Sequence, residues 1–255
     1  MLIDSHCHLD AAEFDADRDA VVAAATSAGV GLLVVPAVEA GAFDRAAAVG
    51  SRYPACRVAY GIHPLYVDRA EPARDLAALE ARLAGEQTVA VGEIGLDLYP
   101  GHPDFDRQQQ FFAAQLKLAR RFGLPVLLHV RRAVDAVLKQ LRRIEVPGGI
   151  AHAFNGSRQQ AEQLIGLGFK LGFGGAMSYT GSRRIRELAA TLPLAAIVLE
   201  SDAPDMAPAW ARGQRNEPVQ VARYADVLAE LRETPRDVIE AQTSANVLAC
   251  LPRAD

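Results

Sequence analysis

The sequence is poor in the features that mark secreted and disulfide-rich proteins. It has three cysteines among 255 residues, and they form neither a CxxC pair nor an even disulfide set. Structural burial is the ordinary role for isolated thiols of this kind, here Cys7, Cys56 and Cys250. No basic, then apolar, leader precedes the first strand, so we expect no signal peptide and a reducing, cytoplasmic location.

Long apolar runs and an excess of positive charge are also missing. No run reaches the roughly 18 residues of a membrane helix, so no membrane association is expected. The formal net charge of -4 argues against a protein that holds long nucleic acid mainly by a basic surface. The charge does not exclude an enzyme that binds a few phosphates through metal ions. The sequence shows no sign of an obligate protein partner.

Short apolar segments alternate with helical segments eight times along the chain. The apolar segments are continuous rather than alternating, as in strands buried on both faces. The predicted strands are 2–8, 31–38, 57–64, 88–96, 125–130, 148–154, 169–175 and 197–202. Eight βα units and a length near 250 residues predict a single-domain (β/α)8 TIM barrel over residues 1–255. The alternative, an open doubly wound sheet, usually carries a glycine-rich loop after its first strand, where this sequence has HCHLD.

The first predicted strand, LIDSHCH at 2–8, carries a histidine pair. His6 and His8 are two residues apart, so on a strand both side chains leave the same face and can ligate one divalent metal. Cys7 would point to the opposite face, which makes it a poor ligand. A purely structural histidine pair at a strand end is the alternative interpretation.

Other polar residues also fall at the ends of predicted strands, where a barrel of this class places its chemistry. Five of the six histidines do so, whereas chance would scatter them over helices and loops. The candidate residues are His6, His8, His63, Glu93, His129, His152 and Asp202.

Without His63, the candidate ligands are four imidazoles and two carboxylates, which are too many for one tetrahedral ion and suit two divalent ions about 3.5–4 Å apart. Glu93, which is central in chain order, is the natural bridge. Because strand eight closes onto strand one in a barrel, His6, His8 and Asp202 are predicted to hold one ion.

His129 and His152, from neighbouring strands, are predicted to hold the second ion. A water between the two metals would have its pKa lowered toward about 7. Asp202 is then placed to orient that water or to take its proton. The ligand types leave the metals open among Zn²⁺, Mn²⁺, Ni²⁺, Co²⁺ and Mg²⁺.

These residues and their surroundings resemble the TatD family of metal-dependent deoxyribonucleases, in the amidohydrolase superfamily. Ser201, Val130 and the loop 207–212 depart from the usual pattern, and none of them removes a ligand. The resemblance implies a (β/α)8 barrel that hydrolyses phosphodiester bonds in DNA or an oligonucleotide, as an exonuclease. The matching segments are IDSHCHLD (3–10), YGIHP (60–64), VGEIGLD (91–97), LPVLLHVR (124–131), HAFNGS (152–157), LESDAP (199–204) and RNEP (215–218).

Further residues are candidates for contact with such a substrate. His63 could hydrogen-bond the scissile phosphate or protonate the leaving oxygen, or it could simply pack before Pro64. Arg131 is a candidate for binding the nucleic-acid backbone, and Asn155 lies where a helix N-terminus could receive a phosphate.

For other side chains the sequence leaves two roles open. Glu200 and Asp4 could support ligating imidazoles or form ordinary salt bridges. Tyr99 and Trp210 could stack a base or merely pack, and His102 is predicted to be a surface residue. Other functions also stay open, namely hydrolysis of a small ester, lactone, amide or phosphate, or metal binding without catalysis.

Overall fold

The computed structural model, which describes residues 1–85, 87–101 and 104–254, contains an eight-stranded parallel sheet in sequential order, as predicted. His102 lies outside the described residues. The strands are β1 (Leu2–Asp4), β2 (Val30–Ala37), β3 (Cys56–Tyr60), β4 (Thr88–Asp97), β5 (Val126–Arg131), β6 (Gly149–Ala151), β7 (Phe169–Phe173) and β8 (Ile197–Leu199).

A helix follows each strand, and a ninth closes the chain. Local signals set several helix ends: Ser157 forms a capping box with Gln160, Pro72 occupies the first turn of its helix, and Gly123 adopts the left-handed conformation after another. The helices are α1 (Arg18–Ser27), α2 (Phe43–Arg52), α3 (Pro72–Leu83), α4 (Phe105–Phe122), α5 (Val134–Leu141), α6 (Arg158–Gly166), α7 (Arg183–Thr191), α8 (Val221–Arg232) and α9 (Arg236–Cys250).

Two apolar layers hold the barrel together, because successive residues of each strand point to opposite faces. Val34 belongs to the inner cluster that fills the barrel, whereas Val35 belongs to the outer cluster between the strands and the helices. Val247 and Leu251, at the end of α9, join the inner cluster and close the end of the barrel opposite the ligands. No described helix combines the length and the apolar character needed to cross a membrane.

The barrel closes between β8 and β1 through a short seam of backbone hydrogen bonds. Ser5 N donates to Leu199 O at 3.0 Å. Beyond the strand ends, Asp202 N donates to His6 O at 2.8 Å, and His8 N donates to Ala203 O at 2.8 Å. The seam therefore continues through the segments that carry the candidate ligands.

The four strands that precede His6 and His8, His63, His152 and Asp202 end three or four residues earlier than the sequence pattern indicated, because the segments that carry these residues leave the sheet to converge over the barrel. His6 and His8 follow β1 instead of sharing a strand face, and the seam hydrogen bonds hold their segment in place. The strands predicted over 2–8, 57–64, 148–154 and 197–202 end at Asp4, Tyr60, Ala151 and Leu199.

Asn216 anchors the long loop between β8 and α8. Its buried amide donates to Ser201 O at 2.7 Å and accepts from Glu217 N at 2.9 Å. The loop is thus tied directly to the segment that carries Asp202.

Candidate metal centre

A cavity of about 1610 Å³ opens at the carboxyl ends of the strands. The loops after all strands but β7 contribute to its lining, as does the start of α7. Every residue predicted for the site lines this cavity except His6, which lies buried beneath it.

One cluster of candidate ligand atoms surrounds one carboxylate oxygen of Glu93, Oε2. Its Oε2 atom lies 3.1 Å from His6 Nε2 and 3.3 Å from His8 Nε2. The two Nε2 atoms are 3.3 Å apart, and Asp202 Oδ1 lies 3.7 Å from each. A tetrahedral ion with ligands at about 2.0–2.1 Å separates those ligands by roughly 3.3–3.4 Å. The spacing therefore fits a single divalent ion.

A second cluster surrounds the other oxygen of Glu93. Its Oε1 atom lies 2.7 Å from His152 Nε2, 3.0 Å from His129 Nδ1 and 3.3 Å from His63 Nε2. His152 Nε2 and His129 Nδ1 are 3.4 Å apart. Glu93 thus offers one oxygen to each cluster, which is the arrangement of a bridging carboxylate.

Outer hydrogen bonds prepare two of the imidazoles to act as ligands. His8 Nδ1 lies 3.2 Å from Pro36 O, which can only accept, so in the neutral ring this nitrogen carries the proton and Nε2 has the lone pair. His129 Nε2 lies 2.9 Å from Asp97 Oδ2 and donates to it, which leaves the lone pair on Nδ1, facing Glu93.

His63 has the opposite arrangement. Its Nδ1 accepts a hydrogen bond from Leu65 N at 3.1 Å, so the neutral ring carries its proton on Nε2. Its Nε2 lies 3.3 Å from Glu93 Oε1. In this tautomer His63 can donate a hydrogen bond from Nε2 but has no lone pair there for a metal ion.

Charges inside the cluster depend on one another. Burial alone would raise the pKa of Glu93, but the surrounding imidazoles, His152 foremost, bring it well below its usual range. Burial disfavours the charged form of His152 too, yet Glu93 and Asp202 raise its pKa to about 10. Burial and the nearby His152 lower the pKa of His6 to about 3. One carboxylate thus faces several competing imidazoles, a charge pattern suited to metal ions.

The segment after β8 positions Glu200 and Asp202, and it contacts a third acid, Asp4, at the end of β1. Asp202 adopts a positive φ of 54°, and this turn aims its carboxylate at the first cluster. Asp4 accepts hydrogen bonds from His6 N at 3.2 Å and from Ser201 Oγ at 2.6 Å, so it supports two ligand-bearing segments. Glu200 Oε1 lies 3.9 Å from His152 Nδ1, which is an ion-pair distance and too long for a hydrogen bond.

Asp97 is a residue of the candidate site that the sequence analysis passed over. It lies four residues after Glu93 on β4, so the strand's period of two places both side chains on one face. The four-residue spacing could therefore have indicated from the sequence that Asp97 lies on the same side as Glu93. Its carboxylate links His129 to the backbone of Tyr99, whose N–H donates to Asp97 Oδ1 at 2.8 Å.

The predicted substrate contacts lie on one side of the cavity. Arg131 is exposed, and its guanidinium carbon lies 4.0 Å from the ring centre of Tyr99. Asn155 Oδ1 accepts a hydrogen bond from Arg184 Nη2 at 2.7 Å. Trp210 packs beneath Arg223 and does not line the cavity, as expected for a packing residue rather than one that stacks a base.

Comparisons with known proteins agree with this geometry. A model of the TatD-related DNase family matches residues 3–252. The metal-dependent hydrolase YjjV of Escherichia coli is 45% identical over 93% of this chain and 92% of its own. Its crystal structure superimposes with a TM-score of 0.95, covering 98% of each chain at 42% identity. The 3'-5' ssDNA/RNA exonuclease TatD of Klebsiella pneumoniae is 33% identical over 96% of each chain. The chain therefore belongs to the TatD family of metal-dependent hydrolases.

Proposed function

We propose that this protein hydrolyses phosphodiester bonds at the ends of DNA strands or oligonucleotides, with two divalent ions held by the residues around Glu93. The observation that carries the proposal is the division of the Glu93 carboxylate between two ligand clusters. Family membership and the nuclease named among its relatives support the choice of a phosphodiester substrate. A cytoplasmic location stays a prediction.

The donor set fits divalent metals because imidazole nitrogens and carboxylate oxygens meet within ligand distances. His6, His8 and Asp202 would hold one ion, His129 and His152 the other, and Glu93 would join both. When bound, such ions supply positive charge that polarises the phosphate and eases the deprotonation of water.

His63 is proposed to act on the leaving group or on the phosphate itself. Its Nε2–H is held toward the cavity by the Leu65 hydrogen bond, so a neutral ring can donate without prior protonation. Donation to a developing oxyanion stabilises the transition state more than the ground state.

Asp202 is proposed to orient the attacking water and to receive its proton. Burial raises the pKa of this carboxyl above its usual value, while His152 and His8 oppose the shift. A raised pKa makes a carboxylate a better proton acceptor near neutral pH.

Arg131 and Asn155 are proposed to contact the substrate. Both line the cavity on the side of β5 and β6, within the same opening as the metal clusters.

End-labelled single-stranded DNA tests the proposal. Metal-loaded protein is expected to shorten the strand stepwise from one end, and chelation or Glu93→Ala is expected to abolish the reaction. A matched Glu162→Ala variant, which removes an exposed carboxylate on α6 from outside the cavity, should behave as wild type. Absence of cleavage by wild-type protein with metals shown to be bound would refute the nuclease assignment and favour a small-molecule substrate.

A further inference from the structure

Charged side chains without an ion-pair partner among the described residues give the cavity a mainly basic side and an acidic side, although Asp135, which accepts a hydrogen bond from Gln160 Nε2, also lines the basic side. Arg131, Arg132 and Arg184 line the side built by the β5–α5 loop and the start of α7, and we name them the basic wall. Within the described ranges, none of the three has a carboxylate at ion-pair distance. Glu13 and Asp205, on the β1 and β8 loops, line the opposite side and likewise have no cationic partner among the described residues.

Two arginines of the basic wall are held by one aromatic ring. The guanidinium carbons of Arg131 and Arg132 lie 4.0 and 5.0 Å from the ring centre of Tyr99. Cation–π attraction engages the face of a guanidinium and leaves its N–H edges available for hydrogen bonding. Both side chains are exposed, so those edges can meet a ligand that enters the cavity.

The same arginines are tied to the metal-ligand framework. Asp97 accepts from Tyr99 N with one oxygen and contacts His129 with the other, at 2.8 and 2.9 Å. Leu98 N donates to Arg131 O at 2.9 Å, and Arg131 lies two residues after His129 on β5. The position of the arginine pair relative to the candidate metal centre is therefore set by short, direct contacts.

We propose that Arg131 and Arg132, held over Tyr99, form a subsite for the phosphate next to the scissile one. The body of a bound strand then leaves the cavity over the basic wall, and its terminal nucleotide lies toward Glu13 and Asp205. This assignment rests on the proposed function and adds to it the path of the substrate.

Charge complementarity supports a phosphate rather than a base at the subsite. Guanidinium edges match phosphate oxygens in geometry and charge, and Arg–phosphate pairs are frequently bidentate. On the opposite side, the exposed carboxylates of Glu13 and Asp205 repel further phosphates. A strand that continued in both directions would meet that repulsion, whereas a strand end would not.

The test measures oligonucleotide binding separately from hydrolysis. Fluorescence anisotropy of a labelled thymidine oligonucleotide of about 12 nucleotides is recorded with chelator-treated protein over a range of salt concentrations. Arg131→Ala and Arg132→Ala are each expected to weaken binding by about tenfold. Each is also expected to reduce the slope of log affinity against log salt by about 0.7.

Controls separate the arginine pair from general charge loss. Arg143→Ala removes an exposed arginine beyond the far end of α5 and should leave binding and salt slope unchanged. Tyr99→Phe keeps the ring and should bind as wild type, whereas Tyr99→Ala should weaken binding. Hydrolysis of bis(p-nitrophenyl) phosphate, which has no neighbouring phosphate, should be the same in Arg143→Ala as in the wild-type protein.

The outcomes distinguish the subsite from the proposed function. Hydrolysis of neither substrate by metal-loaded wild-type protein would refute the nuclease activity. Oligonucleotide hydrolysis with unchanged affinity and salt slope in the Arg131→Ala/Arg132→Ala double variant would refute only the subsite. Weak binding by Tyr99→Ala alone would also overturn it, because Tyr99 would then be receiving a base.

Discussion

Replacing Asp97 by asparagine should weaken the binding of one metal ion and spare the other. The Asp97 carboxylate has two acceptor oxygens, and among the described residues they accept from His129 Nε2–H and Tyr99 N–H. An asparagine side chain has a single acceptor oxygen, so it cannot satisfy both.

Both orientations of the new amide are unfavourable. If its oxygen faces Tyr99, its NH₂ group faces His129 Nε2, which must then accept, and the ring proton moves to Nδ1. That proton would point at Glu93 Oε1, 3.0 Å away, where the lone pair should face the ion. If the oxygen faces His129 instead, the Tyr99 N–H loses its acceptor.

Loss of such an outer partner typically costs 10- to 100-fold in metal affinity, or about 1.4–2.7 kcal/mol. Calorimetric titration of metal-free Asp97→Asn protein should show the lower affinity only for the ion at His129 and His152. Asp75→Asn, at a buried carboxylate in α3, is the matched control and should bind both ions normally. Unchanged affinity for both ions in Asp97→Asn, with the fold intact by circular dichroism, would refute the reasoning.

Three further predictions follow from the same geometry. His63→Gln should lower kcat by about 10²- to 10⁴-fold without changing metal affinity, and weaker metal binding in a calorimetric titration would contradict its role as a donor. Metal binding at pH 7 should release protons, because the raised pKa values of His8 (about 9) and His152 (about 10) keep both rings protonated in the metal-free protein. The affinity for metal should therefore rise with pH until the pH exceeds those pKa values. Calorimetry in buffers of different ionisation enthalpy would count the protons released. Release of no protons would contradict the prediction. Asn216→Ala should lower the free energy of unfolding by about 1–3 kcal/mol in urea titrations, since it removes a buried amide that bonds Ser201 O; an unchanged midpoint would show that this anchor is dispensable.

The alternation of short apolar segments with helical segments predicted the barrel, because parallel strands buried on both faces are continuous apolar runs. It located the ligands less directly, since His6, His8 and Asp202 lie in loops beyond the strands. The prediction that they converge succeeded because residues that follow parallel strands emerge at one end of a barrel, whether or not they belong to a strand.

Other features depend on contacts that no local pattern encodes. The protonated nitrogen of His63 follows from a backbone N–H two residues later, at Leu65. The turn at Asp202, with φ of 54°, depends on its place in the seam. The pairing of Arg131 with Tyr99 joins the end of β5 to the loop after β4, which are far apart in sequence, so only the fold brings them together.

The seam between β1 and β8 has a consequence for how the protein is made. Asp4 and Ser201, hydrogen-bonded across it, are 197 residues apart in sequence, and the first ligand cluster spans the same junction. A nascent chain that has not yet reached β8 can bring together His129 and His152 but cannot assemble the cluster of His6, His8 and Asp202. An ion at the proposed cluster would therefore be bound only after translation has passed residue 202, and it would then stabilise the barrel at this seam.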